Sequence, residues 1–189
     1  LAKNTTREQL VAVGDSALHN NQFNAVTSLD GIQNTAVGSK AMLSNTTGRW
    51  NAALGYHAMK ANTSGVNNTA LGHEAMLKHT SGSANTAVGT AALWGHLTGD
   101  ANTAVGNGAI GNNQSGGNNI GLGWRSGFNN ITGSNNVFIG TQAGYNETGS
   151  NRLYIENSAT NGDSALIYGE FDQNLLRANA HVQVNTYAP

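Results

Sequence analysis

A five-residue phrase, Asn-x-x-x-Gly, returns at a fixed step of 17 residues: NTAVG at Asn34, NAALG at Asn51, NTALG at Asn68, NTAVG at Asn85 and Asn102, NIGLG at Asn119 and NVFIG at Asn136. A degenerate copy, LVAVG, begins at Leu10 with seven extra residues before Asn34, and another, RLYIE, begins at Arg152 after one deletion. A constant period means one structural unit per repeat, stacked on its neighbours. Seventeen residues are too few for a helix–turn–helix unit, which needs ~34. Glycine also costs roughly 1 kcal/mol per helix position. Strands of three to five residues between Gly/Asn turns fit the spacing. Stacking them in register places strands ~4.8 Å apart. The expected fold is all-β: a parallel β-solenoid or β-roll of 17-residue coils.

Numbering each repeat from its Asn exposes the columns. Position 4 is aliphatic (Val37, Leu54, Leu71, Val88, Val105, Leu122, Ile139), position 5 is Gly, and position 8 is Ala or Ser. Position 9 runs Met42, Met59, Met76, Leu93, Ile110, then Gly127 and Gly144. Side chains alternate along a strand, so positions 2 and 4 share one face. Position 2 turns from Thr to Ile120 and Val137 late in the chain, so this face is expected to be buried. The opposite face, Asn, Ala and Gly, is expected to let another backbone approach. One coil offers few large apolar groups, and Ala buries little area at ~25 cal/mol per Å². The aligned small columns therefore point to rods packed side by side as a homo-oligomer, with threefold symmetry the natural closed arrangement. On that placement Ala75→Trp overpacks the contact and breaks assembly.

Composition narrows the classes further. Gly and Asn number 25 and 28 of 189 residues, and charged residues are only 10% with a net charge of −1. Disorder usually comes with high charge and few aliphatics, and a nucleic-acid binder carries a basic patch; neither describes this chain. No run of ~18 apolar residues would cross a membrane as a helix. The opening LAKNTTREQL lacks the layout of a signal peptide. Without Cys, no disulfide staples the fold.

The pattern NTAVGxxAL…T-x-G, over about residues 10–151, is similar to the head repeats of trimeric autotransporter adhesins of the YadA-like type. It more closely resembles the NTAVG repeats of bacteriophage tail fibres. The adhesin repeat is shorter, so the additional residues here are expected in a loop. The resemblance implies a left-handed parallel β-roll and a homotrimer. It also implies a structural and adhesive role on a virion tail fibre, with a host-surface glycan or protein receptor and other fibre or baseplate components as partners. The head of a bacterial surface adhesin is the alternative, and a polysaccharide-degrading tailspike a third.

Three segments are expected. Residues 1–33 form an N-terminal cap or fibre continuation with a degenerate first coil, 34–151 the seven-repeat roll, and 152–189 a C-terminal strand segment that aids trimerisation. The strand-like runs Leu153–Glu156, Ala165–Phe171 and Leu175–Val184 read as a β-meander. The tail LIYGEF…LLR.N…VQV resembles the segment that leads into an endosialidase-type intramolecular chaperone in phage fibres. That resemblance makes Pro189 a processed end, with an experimenter's boundary the alternative, and the start at Leu1 implies sequence upstream.

No catalytic signature is present, and no cofactor or metal is expected. The carboxylates are scattered. Glu170 and Asp172 alternate on one strand, which reads as a solvated edge rather than a glycosidase pair, whose carboxyls lie ~5–10 Å apart. His79 and His96 share a column and would stack on adjacent coils, either as exposed loop histidines or facing a symmetry axis. The Asn column reads as a side-chain amide ladder or as a turn preference. The glycines of NGAIGNNQSGGNNIGLG read as turns with positive φ. The Thr column (Thr35, Thr69, Thr86, Thr103) is interrupted by Ala52 and Ile120, against a flat ice-binding array. Aromatic side chains are the functional lead. Trp94, Phe128 and Tyr145 share position 10, Tyr56 and Trp124 share position 6, and Trp50 lies in a turn. Such rings stack on sugars while their polar edges stay wet, or pack between protomers, as Leu43 and Leu77 at position 10 would.

Overall fold

The computed structural model describes residues 9–21 and 26–180. Eleven short strands form one sheet in chain order. β1 (Val11–Val13), β2 (Thr35–Val37), β3 (Ala52–Leu54), β4 (Thr69–Leu71), β5 (Thr86–Val88), β6 (Thr103–Val105), β7 (Ile120–Leu122), β8 (Val137–Ile139) and β9 (Arg152–Ile155) pair in parallel, one strand per coil. At the usual strand spacing this makes a rod of about 38 Å. β1 is the degenerate first coil, and the pairing of Val137 with Leu153 absorbs the deletion. β10 (Ile167–Glu170) and β11 (Leu175–Ala178) then reverse direction. The expected meander is therefore present, as a continuation of the same sheet. The end of its third expected run, and Pro189, lie outside the described residues.

Four positions in each coil have positive φ. Positions 7, 9 and 17 are left-handed even with bulky residues, as at Lys40, Met42 and Trp50 (φ 55°, 50° and 58°). Position 5 needs glycine. At Gly72 φ is +143°, and an added Cβ would sit 2.4 Å from the carbonyl oxygen of Gly89 on the next coil. At position 15 the backbone is unstrained, but a Cβ on Gly99 would lie 2.1 Å from Gly116 O. Coil stacking itself thus excludes a side chain there.

The strand faces are the reverse of the sequence expectation. Positions 2 and 4 point outward: Leu54 is 52% exposed, Leu71 43% and Ile120 40%. Positions 1, 3, 8, 9 and 12 fill the interior, where Ala36, Ala41, Met42, Asn34 and Asn45 are fully buried. The physical reason is width. A coil of this length encloses room for one Met or Leu, two Ala and two amides, so the larger aliphatics are displaced to the outside. Ala75 likewise belongs to the protomer's own core rather than to a contact between rods.

Two amide columns hold this narrow interior together. Asn68 Nδ2 donates to Asn51 Oδ1 (3.1 Å) and to Gly82 O (2.8 Å). Its Oδ1 accepts from the backbone N–H and the side chain of Asn85 (2.9 and 3.1 Å). Every donor and lone pair of the amide is used, and the ladder reading of the Asn column holds. Where the interior changes, it changes in compensation. Phe138 replaces the usual Ala at position 3, and Gly127 and Gly144 replace the Met at position 9. A Cβ on either glycine would lie 2.3 Å from the Phe138 ring. Phe138 continues into a second small core with Ala143, Tyr154, Ala165 and Tyr168.

Candidate functional site

The second amide column, position 12, carries Asn45, Asn62, His79, His96, Asn113 and Asn130, all fully buried. The two histidines stack at 5.1 Å with planes 5° apart. They lie neither in exposed loops nor on an outer face, because position 12 points into the coil. His79 Nε2–H donates to Gly82 O (2.9 Å), which leaves its Nδ1 as an acceptor. His96 Nδ1–H donates to it (3.0 Å), and His96 Nε2 lies 3.1 Å from Asn102 Nδ2, whose two hydrogens it shares with Asn85 Oδ1 (3.1 Å) and Gly116 O (2.9 Å). This chain requires both rings neutral. Burial lowers both pKa values, His96 to about 3, with the His79 ring adding to the effect there. The pair is interior architecture. Among the described residues no cluster of three or more His, Asp or Glu could hold a metal ion.

Glu170 and Asp172 do not form a free pair. Glu170 ends β10 and Asp172 lies in the following turn, and Arg152 Nη1 approaches both, at 3.9 and 3.2 Å. Glu170 also accepts from Tyr168 O–H (2.8 Å).

The six candidate aromatics all reach the surface, in different places. Trp50, Tyr56 and Trp124 are 43–45% exposed. Trp50 lies under the Arg49 guanidinium and donates to Gln33 Oε1. Tyr56 stacks between His57 and His73, with centroids 3.7 and 5.2 Å away. Position 10 is the true cluster. Phe128 and Tyr145 stack at 5.5 Å with planes 5° apart, and Trp94 stands two coils from Phe128 in the same column.

Between Trp94 and Phe128 the column holds Gly111, and position 7 beside it holds Gly108. The Phe128 ring leans over both glycines, 2.6 Å from where a Cβ on Gly111 would stand, and between it and Trp94 a cleft of about 230 Å³ remains, with the glycines and Ala91 also lining it. Arg125, Asn107 and Asn112 form its rim. Arg125 lies 5.2 Å from the Phe128 ring centre and 5.1 Å from that of Trp124. Lys78 covers Trp94 from the preceding coil, its Nζ 3.8 Å from the ring centre.

Sequence reading found the ring walls but missed the floor and the rim. The available signal was Gly at positions 7 and 10 of a single coil. Gly108 has positive φ (65°), whereas Gly111 and Gly116 do not, so turn geometry accounts for only part of that glycine-rich stretch. Compared with known proteins, the chain matches no protein-family model, no curated protein and no solved structure.

Proposed function

We propose that the chain is a structural and adhesive fibre module: a homotrimeric rod that presents a glycan-binding surface to a host cell, as part of a phage or phage-like tail fibre. The supporting observation is the outward strand face. Positions 2 and 4 of β1–β8 carry only Val, Leu, Ile, Ala and Thr, without one charge, along the whole rod. At Ala52 a hollow of about 220 Å³ opens between Thr35 and Thr69, bounded by Leu54 and Leu71.

A strip ~38 Å long and one strand wide covers roughly 400 Å², within the range of the largest apolar patches on monomers. It is about half of the ~800 Å² per partner of a standard interface. In a threefold arrangement each protomer meets two others, and flanking residues such as Trp50 and Tyr56 enlarge each contact. Second and third copies of the chain are the occupants that match a straight, uncharged, repeating face.

Light scattering on the purified chain tests this. The expected mass is three times 19.5 kDa. Leu54→Asp and Leu71→Asp, on the outward face, should yield a folded monomer. A monomeric wild-type chain, or variants that stay trimeric, would overturn the assignment. Binding of the assembled rod to an array of bacterial surface glycans tests the adhesive half, and no binding would refute it.

A further inference from the structure

We infer that the cleft between Trp94 and Phe128 is a subsite for one carboxylate-bearing pyranose ring, of the uronic acid class. This rests on the adhesive reading and assigns it a place and a ligand chemistry.

The cleft arises from a local departure from the repeat. Position 10 carries a side chain on the neighbouring coils, but Gly111 has none there and Gly108 none at position 7, and the Phe128 ring of the next coil leans over both. The coil backbone continues unbroken beneath, from Gly106 N–H···O=C Val88 (2.8 Å) to Gly111 N–H···O=C Gly108 (3.1 Å). The hollow is therefore built into a rigid scaffold.

Its dimensions select the ligand. Two coils separate Trp94 from Phe128 along the column, but the Phe128 ring leans over Gly111, 2.6 Å from where a Cβ there would stand. What stays open is the Trp94 face above the glycines, on which the apolar face of a sugar ring can stack. The cleft is smaller than the roughly 300–1,000 Å³ that hold drug-sized ligands, so it takes a single ring. Lys78 occupies the side of Trp94 toward the preceding coil, and the cleft lies toward the following coils.

The rim supplies the polar contacts. The Arg125 guanidinium makes no hydrogen bond or ion pair with any described residue, and only its backbone N–H is used, donating to Asn107 O (2.9 Å). A guanidinium held between two rings, its donors free, matches a carboxylate in two-point contact. Asn112 donates one N–H to Asn129 Oδ1 (3.2 Å), leaving its own oxygen for a hydroxyl. Asn107 adds a second amide at the rim. All the lining residues come from positions 6, 7, 10 and 11, none from the outward strand face, so the cleft stays open when that face is covered.

Titration of the full chain with methyl β-D-glucuronide and methyl β-D-glucoside, followed by the Trp94 indole NMR resonance, tests the inference. The glucuronide should shift that resonance and bind about fivefold more tightly than the glucoside, the worth of a partly exposed ion pair. Arg125→Gln should erase the preference. Gly111→Leu, which fills the cleft and displaces the Phe128 ring that leans over it, and Trp94→Ala should each abolish binding with circular dichroism unchanged, while Lys60→Ala, in the same column three coils away, should not. Equal affinities, an unmoved Trp94 resonance, or binding that survives Gly111→Leu and Trp94→Ala would overturn the subsite. Glycan-array binding that persists in those two variants would leave the adhesive reading standing without it. An array blank for the wild-type chain would remove both. Saturation by uridine monophosphate but not by the glucuronide would overturn the ligand class.

Discussion

Replacing Asn68 by Ala isolates one rung of the interior amide ladder. The side chain makes four hydrogen bonds, to Asn51 Oδ1, Gly82 O, Asn85 N–H and Asn85 Nδ2. Not every partner is stranded by its loss. Gly82 O keeps the His79 Nε2–H, and Asn51 Oδ1 keeps the Asn68 backbone N–H (2.9 Å). The Asn85 N–H and one hydrogen of its Nδ2 are left in a dry interior. At about 1–3 kcal/mol for each buried orphan, the expected cost is about 2–6 kcal/mol. For a chain of this size that lowers the melting point by roughly 4–24 °C. Asn68→Asp keeps the acceptor for Asn85 but turns an oxygen toward Asn51 Oδ1 and Gly82 O and buries a charge. Such an acid has a raised folded pKa. Its deficit relative to wild type should therefore be largest at neutral pH and shrink as the pH falls and the carboxyl protonates. Asn136→Ala, at the end of the ladder, should cost less, because only the Arg152 N–H depends on that oxygen. The assay is urea unfolding at fixed protein concentration, followed by far-ultraviolet circular dichroism. A loss below about 1 kcal/mol for Asn68→Ala, or Asp no worse than Ala at pH 7, would refute the account of the ladder as an interior hydrogen-bond spine.

The buried histidine pair makes the fold acid-sensitive. Both folded pKa values lie below the unfolded value, His96 at about 3. The unfolded chain therefore binds protons first as the pH drops through ~6.5, and stability present above that pH is lost at up to ~1.4 kcal/mol per pH unit per histidine. Replacing both by Asn, the residue at that column on neighbouring coils, should flatten the urea midpoint between pH 7 and 5; an unchanged slope would refute the neutral-pair assignment. Phe138→Ala empties the volume that Gly127 and Gly144 vacate and should cost about 3–5 kcal/mol, measured by the same unfolding curve. Ala75→Trp should abolish the folded circular dichroism signal under any conditions of association, because the residue is fully buried within its own coil. A folded but monomeric Ala75→Trp chain would return that column to the interface.

The period, the single strand per coil and the in-register stacking were legible in the sequence because position 5 is glycine in all seven repeats and position 15 in the first six, and the backbone repeats wherever they repeat. The C-terminal meander was legible for a similar local reason: NSATNGDS and DQN break the strands where β9, β10 and β11 end and begin. Which strand face looks inward was not legible from hydrophobicity. Val37, Leu54 and Leu71 outrank Ala36, Ala53 and Ala70 on any apolar scale, yet the alanines are inside. The information was present in a different form. Ala gives way to Phe138 at position 3 in the same stretch where Met gives way to Gly127 and Gly144 at position 9. Only columns that share an enclosed volume must exchange size in that way. The histidines misled for a related reason, since His in a polar, Asn-rich stretch reads as surface until the amide column around it is known to be interior.

An interior of this kind separates two tasks that a conventional core combines. Amides and glycines fix the coil through hydrogen bonds and close contact, and they tolerate almost no change: position 1 is Asn in seven consecutive repeats. The outer columns are then free of folding duties. Position 6 holds Ser39, Tyr56, His73, Thr90, Asn107, Trp124 and Thr141, and position 10 holds aliphatic, cationic, aromatic and absent side chains on the same backbone path. A rod built this way can reshape its outer surface at one coil, as where Gly111 lets the Phe128 ring of the next coil lean over it, without disturbing the stack beneath. The strand face differs from these variable columns. At positions 2 and 4 it stays aliphatic or Thr from β1 to β8 although none of the described residues covers it. A column that folding leaves free but that still holds one chemistry along its whole length is what the proposed association would use, since a second copy of the same repeating face would meet it in register at every coil.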